Sequence, residues 1–79
     1  MDQNLSLLSC LPVGKKARVD KLLSKGHERR RMLDLGLICG TPVEAVQKSP
    51  SGDPTAYSIR GAVIALRTED ADKISIKFQ

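Results

Sequence analysis

Short segments that alternate between apolar and polar residues are the feature that most restricts the fold of this 79-residue chain. In KKARVDKLL, residues 15–23, apolar Ala17 and Val19 alternate with charged Lys16, Arg18 and Asp20. A period of two residues is typical of a strand with one buried face and one solvated face. Similar segments, separated by turn-forming residues, predict four more strands, at 41–48, 55–60, 62–67 and 74–78.

The stretch GHERRRMLDLGLICG, residues 26–40, has a different period and predicts a helix at about residues 27–35. Met32 and Leu35 stand three residues apart, with Leu33 beside them, which suits one face of a helix. Gly36 stands where a helix needs a left-handed residue to end. With Leu35 as the C-cap, Met32 and Leu37 would form the apolar pair of a Schellman ending.

Five short strands with one short α-helix after the first strand favour a small, mainly β barrel, because closing a sheet removes its exposed edges. We expect a single domain over residues 1–79, with an apolar lead-in at 1–14 and the barrel at 15–79. Thr68 is expected to cap a helical turn before the last strand. The predicted core comprises Val19, Met32, Leu33, Val43, Ile59, Ile64, Leu66, Ile74 and Ile76.

The positive charge of the chain is concentrated in one segment. Residues 15–31 contain eight Lys or Arg and two acidic residues, a net charge of +6, whereas the rest contains five and seven, a net charge of −2. Such asymmetry suggests an anionic partner, namely nucleic acid, a membrane surface or an acidic protein face, or else a merely solvated surface. The candidate partner-binding residues in this segment are Arg18, Lys25, Arg29, Arg30 and Arg31.

The sequence offers little support for catalysis or for a bound metal. His27 is the only histidine, no phosphate-binding glycine motif occurs, and no serine or cysteine has an evident triad partner. We therefore expect a protein that is not an enzyme and has no catalytic or cofactor-binding residue. Cys10, His27 and Cys39 lack the close spacing of zinc ligands, so no metal ligand is assigned. The two cysteines are expected to be buried free thiols.

Nucleic-acid binding is the alternative function. Small barrels bind RNA or single-stranded DNA through a basic groove with stacking aromatic side chains. The only aromatic residues are Tyr57 and Phe78, and both fall at inward strand positions. The same shortage argues against a groove for proline-rich peptides. We therefore expect no nucleic-acid partner.

The sequence lacks the signals of secretion and membrane insertion. No stretch approaches the roughly 20 apolar residues that span a bilayer. The N-terminal MDQNLSLLSCLPVG has an acidic residue where a signal peptide needs a basic one. A cytoplasmic protein is the expectation.

Taken in order, several motifs resemble the FeoA family, ferrous iron transport protein A. They are Leu11-Pro12-Val13-Gly14, then Arg30 through Gly40, Pro50 through Pro54, Gly61 through Arg67, and Ile74-Ser75-Ile76. The resemblance covers nearly the whole chain, and the motifs occur in order with natural spacing. Two departures are Met32, where the family commonly has Leu, and Cys39, where it tends to have Pro.

The resemblance implies an SH3-like barrel and a cytosolic accessory protein of bacterial ferrous iron uptake. The implied partner is FeoB, a membrane permease with a cytoplasmic GTP-binding domain, and contact with the membrane would occur only through FeoB. The family is also linked to transition-metal ion binding, although the ligand spacing here does not support a site. The same barrel forms the C-terminal domain of iron-dependent repressors, but a stand-alone transcription factor is not expected. The oligomeric state stays open.

Overall fold

The computed structural model describes residues 5–78, which form one sheet of six antiparallel strands with three short helices. The strands are β1 (Leu5–Leu7), β2 (Lys16–Leu22), β3 (Pro42–Lys48), β4 (Thr55–Ile59), β5 (Ala62–Leu66) and β6 (Ile74–Phe78). The α-helices are α1 (Gly26–Asp34) and α2 (Thr68–Ala71), and a 3-10 helix covers Leu8–Cys10. The spatial order of the strands is β1-β6-β2-β3-β4-β5.

The mainly β fold is confirmed, and the predicted strands and helix are all present. The difference lies in the apolar lead-in, which forms an additional strand at one edge of the sheet. There Leu5 pairs with Lys77 and Leu7 with Ser75. Helix α1 consequently follows the second of six strands instead of the first of five.

Two irregularities of register bend the sheet around the core. The pairing of β2 with β6 shifts between Val19 and Lys21, and that of β3 with β4 shifts between Ala45 and Gln47. An extra residue in one strand bends it and increases its twist. The inner faces of the strands can therefore enclose one core.

The core is built from aliphatic side chains and one tyrosine. Its buried members are Leu8, Leu11, Ala17, Val19, Met32, Leu37, Val43, Ala45, Tyr57, Ile59, Leu66, Ala71, Ile74 and Ile76. Seven of the nine predicted core residues are among them, and Ile64 packs against this cluster while partly exposed.

Leu33 was wrongly predicted to lie in the core, since 41% of its surface is exposed. Met32 and Leu35 lie three residues apart and share the face of α1 that packs on the barrel. Successive helical residues are rotated by about 100°, so the neighbour of Met32 points away from that face.

Helix α1 ends in the Schellman arrangement that the sequence predicts. The Gly36 amide donates to the Leu33 carbonyl (2.9 Å), and the Leu37 amide donates to the Met32 carbonyl (3.1 Å). Gly36 has a φ of 93°, in the region that favours glycine. The Thr41 hydroxyl donates to the Gly36 carbonyl (2.9 Å), which ties the following loop to the helix end.

Two further details differ from the predictions. Thr68 does not cap α2; instead the carboxylate of Asp53, from the loop before β4, accepts the Thr68 amide at 2.8 Å. Phe78 faces the same side as Ala17, its partner across the sheet, but is 39% exposed. Alternation predicts the face on which a side chain lies, not whether another element covers it.

No helix within residues 5–78 is both long and apolar enough to cross a bilayer.

Candidate functional site

The five candidate partner-binding residues lie on strand β2, at the N-cap of helix α1 and within that helix. We call Arg18, Lys25, Arg29, Arg30 and Arg31 the basic surface; all five are exposed. Lys25 is the N-cap residue of α1, and the three consecutive arginines follow within the helix. Because consecutive helical residues are rotated by about 100°, these arginines spread over more than half of the helix circumference.

The outer two of the three arginines are held by the protein itself. The Arg29 Nη1 donates to the Leu22 carbonyl at 3.3 Å, at the end of β2. The Arg31 Nη2 lies 3.2 Å from the Asp70 carboxylate, in helix α2. Asp70 is the more buried partner, with 18% of its side chain exposed. The two arginines therefore connect α1 to β2 and to α2.

Arg18 also has an internal contact, since its Nη1 donates to the Gly40 carbonyl at 3.0 Å. Gly40 belongs to the loop that follows α1, so this bond joins β2 to that loop. Among residues 5–78, Lys25 and Arg30 carry no hydrogen bond or ion pair through their side chains. Of the predicted partner-binding residues, these two are the ones available without breaking an internal contact.

Arg60 is a basic residue that the sequence analysis did not single out. It is the first residue of the two-residue turn between β4 and β5 and has a φ of 53°. Its side chain lies over the end of α1, where a Cβ added at Gly36 would be 2.6 Å from the Arg60 Cδ. With Lys16 and Glu44, Arg60 lines a shallow groove of about 320 Å³ on the outer face of the sheet. The sequence signal for such a turn is Gly61 between two alternating segments, because a two-residue hairpin turn needs a positive φ.

The potential metal-ligating side chains lie on different elements. Cys10 belongs to the 3-10 helix, His27 to the first turn of α1 and Cys39 to the loop after α1. In the described part of the chain, no three His, Cys, Asp or Glu side chains form a group that could hold a metal ion. These residues therefore do not fit a metal centre.

Cys10 and Cys39 were wrongly predicted to be buried; both are free and exposed. The buried positions near Cys10 are occupied by Leu8 and Leu11, and the one near Cys39 is occupied by Leu37. Each thiol thus lies next to a core position but points out of the core.

The aromatic side chains provide little for base stacking. Tyr57 is buried, and its hydroxyl donates to the Leu8 carbonyl at 3.4 Å. Burial raises the pKa of Tyr57 above its usual value. Phe78 is partly exposed at the end of β6, so a single aromatic ring is accessible to solvent.

Comparison with known proteins gives a consistent family. The model of the FeoA domain matches residues 7–77. A protein of Porphyromonas gingivalis described as an Fe(2+) transport protein A/Fe(2+) transporter FeoB fusion protein is 36% identical over 71 residues. The match takes in 90% of this chain but spans only 8% of that relative.

Solved structures share the fold over most of the chain. The FeoA protein from Chlorobium tepidum has a TM-score of 0.86 and 30% identity, covering 92% of this chain and 70% of that one. Stenotrophomonas maltophilia FeoA, complexed with zinc and described as an SH3 domain protein, has a TM-score of 0.83 and 28% identity. That match covers 91% of this chain and 89% of the other. The predicted SH3-like fold is thereby confirmed.

Proposed function

The chain belongs to the FeoA family, and we propose that it is a cytoplasmic accessory protein of bacterial ferrous iron uptake that binds the FeoB permease. The family links the chain to ferrous iron transport. The proposal adds the direct contact with the cytoplasmic domain of FeoB, a location in the cytoplasm and a role without catalysis of its own.

The observation that carries the proposal is the fusion protein of Porphyromonas gingivalis. In that relative, a segment similar to this chain and an Fe(2+) transporter share one polypeptide. Two domains that are covalently joined in one organism work at a high effective concentration of each other. We infer that separate chains of the same two kinds associate to achieve the same proximity.

The basic surface is the proposed contact. Its segment carries a net charge of +6 against a remainder of −2, so an acidic face of the partner would be attracted and oriented by it. Arg30 and Lys25 are free to make new ion pairs. Arg18, Arg29 and Arg31 would contribute their charge while keeping their internal contacts.

We assign no metal-dependent step to this chain. Ferrous iron is the cargo of the transport system, and the exposed Cys10, His27 and Cys39 do not form a group of ligands. The family's link to transition-metal binding can be tested on this protein by titration with a transition-metal ion.

Charge reversal at Arg30 tests the contact. We expect R30E to slow association with the FeoB cytoplasmic domain from the same organism by about three- to tenfold at low salt, because rim charges act mainly on the encounter rate. The difference from wild type should shrink as salt is added. The rates can be measured by biolayer interferometry, with thermal unfolding as a check of the fold.

K48E is the matched control, because Lys48 is exposed at the end of β3 and its reversal alters the net charge by the same amount. An equal decrease of the association rate in both variants would indicate a general charge effect. An unchanged rate in R30E would mean that Arg30 is a solvated residue outside the contact. Arg31 is less suitable, since R31E would place a second acid beside Asp70.

A single-stranded oligonucleotide serves as the ligand that tests the alternative function. If the protein still binds this oligonucleotide at about 0.3 M salt, the nucleic-acid alternative is favoured, because nonspecific attraction weakens steeply with salt.

A further inference from the structure

Strand β5 forms one edge of the sheet. It pairs with β4 through five residue pairs, from Ile59 with Ala62 to Thr55 with Leu66. Within residues 5–78 no strand pairs with its other side. One row of backbone groups along β5 therefore has no partner in the sheet.

The turn before β5 determines which backbone groups these are. Arg60 and Gly61 have φ values of 53° and 84°, as two-residue hairpin turns require. In such a turn the flanking residues, here Ile59 and Ala62, share the closing hydrogen bond. The backbone groups of successive residues in an antiparallel strand point alternately to one neighbour and to the other, so those of Ala62, Ile64 and Leu66 bond to β4. The amides and carbonyls of Val63 and Ala65 then point outward.

This edge lacks the features that usually protect an edge strand. Such strands are commonly kept short or carry a charge or a proline. The sequence AVIAL contains no charged residue and no proline, and Val63 is 67% exposed. The opposite edge strand, β1, has three residues against five. The β5 edge is therefore the one suited to pairing with another chain.

A groove lies beside the C-terminal half of this edge. It has a volume of about 460 Å³ and is lined on one side by Arg31 of α1 and the C-cap residue Leu35, and on the other by β5, including Ile64 and Ala65. Its floor is apolar where Leu35 and Ile64 pack against the core. An extended backbone placed here would meet the outward groups of Ala65 while its side chains reach Leu35.

Charges at the two ends of β5 complete the description. Arg60 precedes the strand and Arg67 follows it, and in the described part of the chain neither takes part in an ion pair. Glu69 lies near Arg67 in the groove lining, so the Arg60 end is the more positive of the two. A ligand with an apolar centre and an acidic end would match this arrangement.

We propose that the β5 edge binds an extended segment of a partner protein, which adds to the sheet as a further strand. Strand addition uses backbone hydrogen bonds for affinity and alternate side chains for specificity. The segment would carry aliphatic or β-branched residues at alternate positions, facing Ile64 and Leu35, and an acidic residue at the end near Arg60. This surface adjoins the basic surface at Arg31 but does not include Arg30, and the proposal does not depend on FeoB.

A random 12-residue peptide library displayed on phage provides the probe. Selection on the immobilised wild-type protein should enrich peptides with alternating apolar residues, and the leading peptide would be synthesised for titration. On binding, the amides of Val63 and Ala65 should become protected from hydrogen exchange. Enrichment of no peptide above the bare support would overturn the proposal.

A65P tests the edge directly. The Ala65 amide points away from β4, so proline there spares the hairpin but removes one donor from the edge. We expect the titrated peptide to bind A65P about tenfold more weakly, as for a lost hydrogen bond of roughly 1.4 kcal/mol. R30A, on the basic surface, should bind it as wild type does. Equal binding to A65P would place the peptide elsewhere and refute strand addition.

Main-chain methylation of the peptide gives the same test with the protein unchanged. Methyl groups on the alternate amides that face Val63 and Ala65 should abolish binding, whereas methyl groups on the intervening amides should be tolerated. Equal effects of the two methylation patterns would overturn the proposal. So would a wild-type dimer, detected by analytical ultracentrifugation, that A65P dissociates, because the edge would then belong to a second copy of this chain.

Discussion

The two ends of helix α1 are held in different ways. At the C-terminal end, Gly36 closes the helix and buried Met32 and Leu37 pack beneath it. At the N-terminal end, Lys25 provides no side-chain cap, and the Ser24 hydroxyl, buried just before it, has no hydrogen-bond partner in the described structure.

Surface contacts hold the N-terminal end instead. The Lys73 Nζ lies 3.0 Å from the Glu28 carboxylate, with about half of each side chain exposed. Exposed ion pairs typically contribute less than about 1 kcal/mol. The comparison shows that burial fixes one end of α1, while the end that carries Lys25 is held weakly. A partner can therefore contact the second end without disturbing the core.

The largest expected effect concerns the face of α1 that is buried. M32A should lower the free energy of unfolding by about 2–5 kcal/mol, because it removes a fully buried side chain and leaves a cavity. L33A, one residue along, should cost about 0.5 kcal/mol or less, as exposed positions do. Urea unfolding of both variants measures the difference. Similar losses would mean that α1 is rotated from the orientation described.

The second effect compares the glycines at the two ends of the helix. G36A should cost about 1–3 kcal/mol, because an alanine would hold a φ of 93° and its Cβ would lie 2.6 Å from the Arg60 Cδ. G26A should cost about 1 kcal/mol, since Gly26 has a φ of 64° but no atom within 4 Å of an added Cβ. Thermal unfolding of both variants would rank them. A larger loss for G26A would contradict the view that the C-terminal end is the better fixed.

The smallest effect concerns the orphaned hydroxyl before the helix. S24A should leave stability unchanged or raise it by up to about 1 kcal/mol, because it removes a buried polar atom without a partner. S75A is the control, since the Ser75 hydroxyl donates to the Asp20 carboxylate at 3.2 Å. Removing that bond should cost about 1 kcal/mol. Chemical denaturation at one pH compares the two, and a marked loss in S24A would indicate that the hydroxyl has an unrecognised role.

Much of the fold could be predicted from the sequence, because its signals are local. Alternation in β2 and β6 sets the buried faces, and Gly36 with Leu37 sets the end of α1. These patterns depend on residues within a few positions of one another. Each pattern can therefore be recognised in the sequence without knowledge of the folded structure.

The candidate site was less predictable, because its contacts are distant in sequence. Asp70 lies 39 residues from Arg31, and Asp53 reaches the Thr68 amide across 15 residues. Charge density indicates where basic residues are concentrated, but not which of them the protein already uses. The exposure of Cys39 could not be predicted either, because it depends on the course of the loop after α1 and not on the hydrophobic character of the residue.

The pairing of β1 with β6 has a mechanical consequence. Leu5 of the edge strand β1 lies opposite Lys77 of β6, so the beginning and the end of the described chain are neighbours in the sheet. Ladder hydrogen bonds run perpendicular to the strands. Tension applied between the two ends would load these bonds one pair at a time and open the edge as a zipper. A domain tethered at only one end would carry no such tension, and this edge would stay closed.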